Sequence, residues 1–329
     1  MKIAVIGAGA WGTALANTFA KKGLETGLWA RDSRLAAEIN QTGVNKEYLP
    51  ECQLDRRLVC DSNPEKIMSG ADIFMIVIPS QFIRSNLKNF KHLFPKKPVV
   101  VCASKGIELN TGAPMSQVIS DSLAGLSPRY AHLSGPSFAF ELSAEMPTTV
   151  VLGCEDENLG KNLQEVFSTN YFRVYSNPDF RGVEIGGAIK NIMAIATGIA
   201  DGLNFGHNTR AALITRGLAE MQRLGIAMGA NPATFMGLSG MGDLVLTCTG
   251  DLSRNRQVGL KLGKGIKLSE ILKMRKVAEG VKTTESVHEL AKKMGVDMPL
   301  TEQIYRILYE DKDPVKAVLD LMSRELKQE

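Results

Sequence analysis

"KIAVIGAGAWGTALANTFAKKG", residues 2 to 23, passes from an apolar strand-like run through three glycines into a helix-like run. Gly7, Gly9 and Gly12 match G-x-G-x-x-G. In that pattern the first glycine permits a tight turn, the second lets a pyrophosphate approach the backbone, and the third lets the helix lie close to the strand. Amides at the helix start then face the phosphates. The bare pattern arises by chance and a glycine-rich turn can be only a turn. Its place between a strand and a helix at the head of the chain favours the dinucleotide-binding reading.

Outward from this turn, short β-rich runs alternate with helical stretches. Residues 26–30, 73–79, 98–104, 129–135 and 148–153 join 2–7 as expected strands, several of them apolar without a break, as in a parallel sheet covered on both faces. From about Val183 the pattern turns to helix after helix. The expectation is an α/β protein: an N-terminal Rossmann-type, doubly wound, mostly parallel sheet over 1–185, then an all-α domain over 186–329. A length of 329 residues suits two cores, and neither a low-complexity linker nor an internal repeat separates them.

Composition narrows the classes. Hydrophobic residues make up 44% and charged residues 22%, as in water-soluble proteins, and no uninterrupted apolar run reaches bilayer length, so stable membrane insertion is not expected. The opening run resembles a signal peptide only superficially, since glycines break it and no cleavage pattern follows. A net charge of +4, with basic clusters no longer than "PKKP" (95–98) and "KMRK" (273–276), fits small anions better than nucleic acid. Cys52, Cys60, Cys102, Cys154 and Cys248 are odd in number and scattered, which suggests reduced thiols in a cytoplasm. His92, His132, His207 and His288 have no neighbours at metal-ligand spacing, and no metal is expected.

Several residues point to chemistry. "LWARDSR" (28–34) ends the second strand with Arg31, suited to a 2′-phosphate, then Asp32, suited to ribose hydroxyls, and Arg34; use of both NAD and NADP is expected, and a solvated loop is the alternative. Lys105 in "CASKGIE" and Gly135, Pro136 and Ser137 in "LSGPSFAFE" follow strands on the ligand-binding edge, with a solvated lysine and a simple turn as competitors. Lys190 lies inside "EIGGAIKNIMAIATG" (184–198), with Ala194 and Thr197 on its helical face and Asn191 about a quarter turn away. It is either a snorkelling lysine or one whose ammonium burial disfavours, leaving the amine ready to exchange a proton near neutrality. In "LSGMGDLVLTCTGDLSRNRQVG" (238–259), Asp243 is placed in a loop, as a partner for a lysine or substrate hydroxyl or as an exposed turn. Ser253 is read there as an N-cap, with Arg254 and Asn255 in the first turn, where an anion meets amides and a guanidinium together.

With "GAGAWGTALA", "SKGIE", "SGPSFA.E", "VYSNPDFRGVEIGGAIKNIMAIATGIADG", "GMGDLVLTCTG", "SRNRQVG" and "VAEGVKT" in order, the chain resembles bacterial NAD(P)-dependent sn-glycerol-3-phosphate dehydrogenases nearly end to end. The resemblance implies Lys190 as the proton-transfer residue. It implies contacts of Lys105, Gly135, Ser137, Asp243, Ser253, Arg254 and Asn255 with glycerol 3-phosphate. For the cofactor it implies Ala10, Trp11, Arg31, Lys105, Ala139, Arg254, Val277 and Glu279 beside the glycines, with Phe82 packing near the nicotinamide. Ala10 replaces a serine that relatives can carry, which leaves only a backbone contact there. Dihydroxyacetone phosphate as the oxidised substrate, a role in phospholipid synthesis, a cytoplasmic location and a homodimer follow from the same resemblance. Two rivals remain at this level: a β-hydroxyacid dehydrogenase, which the phosphate-suited set around Arg254 disfavours, and a dinucleotide-sensing protein without turnover.

Overall fold

The structure, a computed structural model, describes residues 1–273, 278–326 and 328. By internal contacts the chain parts into two units, residues 1–105 with 113–184, and residues 106–112 with 185–329.

The first unit holds one eight-stranded sheet. Its strands are β1 (Lys2–Ile6), β2 (Glu25–Trp29), β3 (Val59–Asp61), β4 (Ile73–Ile76), β5 (Val99–Cys102), β6 (Arg129–Ser134), β7 (Thr148–Gly153) and β8 (Phe172–Asn177), in the order β3-β2-β1-β4-β5-β6-β7-β8. All neighbours are parallel except β6 and β7. The alternation of side chains along a strand assigns the core to two faces. Ile3 and Val5 pack with Leu15, Phe19 and Leu28 on one, while Ala4 and Ile6 pack with Ile67, Phe74 and Ile83 on the other. Burial on both faces is why these strands are apolar throughout. Two strands differ from the sequence expectation, which omits them. β3 is three residues long and starts at the 58% exposed Val59, and β8 alternates buried Phe172 and Val174 with exposed Arg173 and Tyr175, so both edges lack an apolar run.

In the second unit, a core centred on Ile185–Ile199 is wrapped by helices His207–Ala227, Asp243–Thr249, Arg254–Gly263, Glu279–Met294, Pro299–Tyr309 and Pro314–Met322. The segment 106–112 belongs here through Ile107, which joins this core and accepts a hydrogen bond from Ser286 Oγ (3.1 Å). A single boundary after residue 185 leaves this excursion out. The helix Phe180–Gly202 is long and apolar enough by length and composition to cross a membrane, and its whole apolar window is buried inside the protein. It holds no uninterrupted apolar run of that length, because Glu184, Lys190 and Asn191 break the run.

Candidate active site

Strand ends gather the residues of the sheet unit. Gly7 follows β1, Arg31 β2, Phe82 β4, Lys105 β5 and Gly135 β6, so all lie beyond the C-terminal ends of mutually parallel strands. The chain order reverses between neighbours β1 and β4, the kind of switch point at which open sheets bind ligands.

The three glycines of the first turn answer to different constraints. Gly7 has φ of 126°, and a Cβ on it would lie 2.4 Å from the Val77 carbonyl oxygen. At Gly12 a Cβ would lie 1.9 Å from the Gly7 carbonyl oxygen, so the helix Ala10–Lys21 rests directly on the turn. Gly9 is extended (φ −72°, ψ 177°), and a Cβ there would meet nothing within 4 Å. The protein itself has no use for a glycine at that point; the space it leaves lies over a helix start that has no acidic residue in its first turn and no side-chain cap. Amides so placed suit an anion that must come close to the backbone, and the residues therefore fit a pyrophosphate. The turn is held from behind by Asn45, fully buried, whose Nδ2 donates to the Ala8 carbonyl (2.9 Å) and Thr13 Oγ1 (2.8 Å). Sequence reasoning missed Asn45, 33 positions beyond the motif, because no local pattern marks it.

After β2, Arg31 is exposed and Asp32 caps the helix Ser33–Thr42, accepting from the Arg34 amide (2.8 Å) and pairing with its guanidinium (3.2 Å). Asp32 is thus committed to Arg34, whose donors hold its carboxyl below the usual range. Phe82 is 53% exposed. Lys105, half-buried, brings Nζ to 3.5 Å from the Gly135 carbonyl, and Ser137 Oγ donates to that same oxygen (2.9 Å). A Cβ on Gly135 (φ 137°) would lie 2.9 Å from Val150 Cα, so this turn presses onto β7. Ala139 opens the short helix Ala139–Ser143, and Trp11 packs against the sheet core.

In the helical unit Lys190 is only 6% exposed. Its Nζ makes an ion pair with Asp243 and donates to Thr247 Oγ1 (2.9 Å). Asp243 corrects the sequence expectation: it is no loop residue or exposed turn but the fully buried first residue of the helix Asp243–Thr249. The preceding Leu238–Gly242 is itself a wide helical turn, so the glycines that suggested a loop lie within continuous helical backbone. Thr247, one turn beyond Asp243, was not anticipated; its i, i+4 spacing from Asp243 is the signal that points to it once a helix is assigned. Carboxylate and hydroxyl together offset the cost of burying the ammonium.

Ser253 caps the helix Arg254–Gly263, accepting from the Arg256 amide (3.2 Å). Arg254 is exposed at that start, and Asn255 is 8% exposed with its Oδ1 accepting from the Gly280 amide (2.9 Å). A Cβ on Gly280 would lie 2.6 Å from Asn255 Oδ1 and 2.9 Å from the Asn191 carbonyl oxygen. The helices carrying Lys190, Asn255 and Glu279 therefore converge on Gly280, another residue the sequence did not single out. Glu279 is the half-buried first residue of its helix, and Val277 lies outside the described residues.

Comparison with known proteins identifies the family. Residues 2–160 match the family described as NAD-dependent glycerol-3-phosphate dehydrogenase N-terminus, and residues 179–319 the corresponding C-terminus. The chain is 71% identical over its full length, and that of its relative, to glycerol-3-phosphate dehydrogenase (NAD(P)+) of Maridesulfovibrio salexigens. It is 59% identical, again with both chains fully covered, to the enzyme of the same name from Solidesulfovibrio magneticus. A crystal structure of glycerol-3-phosphate dehydrogenase from Coxiella burnetii superposes with a TM-score of 0.94 at 42% identity, covering 98% of this chain and 99% of the other. With both family regions matched in order over the sheet and the helices just described, the chain belongs to the NAD-dependent glycerol-3-phosphate dehydrogenase family.

Proposed function

We propose that the protein is a glycerol-3-phosphate dehydrogenase that uses NAD or NADP to interconvert dihydroxyacetone phosphate and sn-glycerol 3-phosphate, as a cytoplasmic homodimer supplying phospholipid synthesis. The observation that most supports this reading is the buried Lys190, paired with Asp243 and Thr247, in a chain of this family. The glycine turn would hold the pyrophosphate of the dinucleotide, and Arg31 would meet the 2′ end of its adenosine. When bound, the reduced dinucleotide would supply the hydride that reduces C2 of the ketone. Lys190, as the ammonium, gives a proton to the C2 oxygen as the alkoxide forms, and as the neutral amine takes it back in the reverse direction. Asp243 and Thr247 fix the direction in which the amine points. Lys105, with Gly135 and Ser137, stabilises the developing oxyanion. Arg254, the amides at its helix start and Asn255 hold the phosphate away from the reacting carbon, so that binding energy there orients C2.

The test is the oxidation of NADH and of NADPH by dihydroxyacetone phosphate, followed optically. Turnover with at least one is expected, and failure with both rules the reading out. Sedimentation tests the assembly, with a species near twice the chain mass of 35.8 kDa expected.

A further inference from the structure

Arg256 lies in the same helical turn as Arg254 and Asn255, but its side chain runs inward. Its Nε (2.9 Å) and Nη2 (2.7 Å) both reach Asp201 Oδ2, near the end of the helix that carries Lys190. Asp201 Oδ1 accepts from Arg210 Nη2 (2.6 Å) and Nε (3.1 Å), and Arg256 Nη1 donates to Asp251 (2.8 Å) in the loop before its own helix. The Asp201 side chain is 7% exposed and that of Arg256 11%.

The main chain is pinned at the same place. A Cβ on Gly198 would lie 2.1 Å from the Arg256 carbonyl oxygen, and one on Gly259 2.1 Å from that of Ile195. Gly202 and Gly263 repeat the contact one turn on, at 2.5 Å from the Leu260 and 2.3 Å from the Ile199 carbonyl oxygens. Two helix backbones therefore touch along Gly198, Gly202, Gly259 and Gly263, and the guanidinium of Arg256 fixes their register through Asp201. A buried ion pair is an inefficient way to gain stability, because apolar residues of similar size do as well or better. What a two-point guanidinium–carboxylate contact supplies is a fixed orientation.

The geometry points to Asp201 and Arg256 as positioning residues for the phosphate end of the substrate: they hold the start of the helix Arg254–Gly263 at a set place relative to Lys190. This rests on the reading of Arg254 and Asn255 as the phosphate subsite, and the experiment separates the two. Asp201→Asn and Arg256→Lys are expected to raise KM for dihydroxyacetone phosphate about tenfold while kcat stays within about twofold, because only an interaction common to ground and transition states is weakened. Their kcat/KM with unphosphorylated dihydroxyacetone is expected to match that of the parent protein within about twofold, since general loosening would depress both substrates alike. If either single variant fails to fold, the double variant Asp201→Leu/Arg256→Met restores an apolar contact and is expected to keep the raised KM. Arg254→Ala serves as the control. An unchanged KM in Arg254→Ala removes the phosphate subsite and the inference with it. A raised KM in Arg254→Ala beside unchanged values in Asp201→Asn and Arg256→Lys, or in the double variant, overturns the positioning role alone.

Discussion

Lysine is rarely buried without a partner, so the near-complete burial of Lys190 on an apolar helix requires an explanation at the level of single groups. Asp243 and Thr247 supply it, and removing the amine separates chemistry from binding. Lys190→Ala is expected to lower kcat about a hundredfold or more with cofactor affinity unchanged, measured by steady-state rates and by fluorescence titration with NADH. Near-normal turnover would dismiss Lys190 as the proton donor. Arg31 permits a second test, because Asp32 is occupied by Arg34 while Arg31 is exposed just beyond β2. Arg31→Ala is expected to reduce kcat/KM with NADPH about tenfold or more and to spare NADH; equal losses would detach Arg31 from the adenosine end. Lys190 could be read from the sequence because a charge in an apolar helix breaks a local rule. Asp243 could be read only as a candidate partner for some lysine: its glycine-rich approach reads as a loop rather than a helix, and a side chain 53 positions away leaves no local trace that the lysine is Lys190.

For whole elements, the first turn of the sheet distinguishes glycines that the fold requires from one that it does not. Alanine is the better helix former by about 1 kcal/mol, so Gly12→Ala would stabilise the helix if nothing stood in the way. The Gly7 carbonyl oxygen does, at 1.9 Å from the added carbon, and the melting temperature is expected to fall by about 5 °C or more. Gly9→Ala meets no atom within 4 Å in a conformation that any residue adopts. Its melting temperature is expected to stay within about 1 °C of the parent while cofactor Kd rises about tenfold or more, since the methyl would stand where a pyrophosphate must come close to the backbone. A tightly binding Gly9→Ala would move the pyrophosphate off this turn. The motif and the central strands were legible because two-sided burial leaves unbroken apolar runs. β3 and β8, at the two edges, were not, since a strand with one neighbour and one wet face needs little apolar sequence. Gly198, Gly202, Gly259 and Gly263 were equally silent: a glycine that permits two helices to touch looks the same in sequence as one that ends a helix.

Across the whole molecule, buried titratable groups in both units make stability depend on pH in a direction the charge balance does not suggest. Glu184 bonds the Ser116 amide and hydroxyl (both 2.8 Å), and Glu220 accepts from the Leu300 (2.5 Å) and Thr301 (3.1 Å) amides at the start of the helix Pro299–Tyr309. Burial outweighs these donors and pushes each carboxyl up to about 7. In the opposite sense, burial and then the charge of Lys105 push His132 down to about 3. An unfolded glutamate titrates near 4.3 and an unfolded histidine near 6.5. Between about pH 4.5 and 7 the folded chain therefore retains up to two carboxyl protons that the unfolded chain has released, while below about 6.5 the unfolded chain binds one on His132 that the folded chain does not. The difference favours the folded state at the acidic end, so stability falls as pH rises through this window, by about 1.4 kcal/mol per pH unit for each net proton. Melting temperatures measured from pH 5 to 8 are expected to decline, and more gently in Glu220→Gln, which keeps an acceptor for the helix start but cannot ionise. A parent protein whose melting temperature climbs over that range would show that both carboxyls are already ionised at pH 5, with the amide donors at Ser116, Leu300 and Thr301 prevailing over burial.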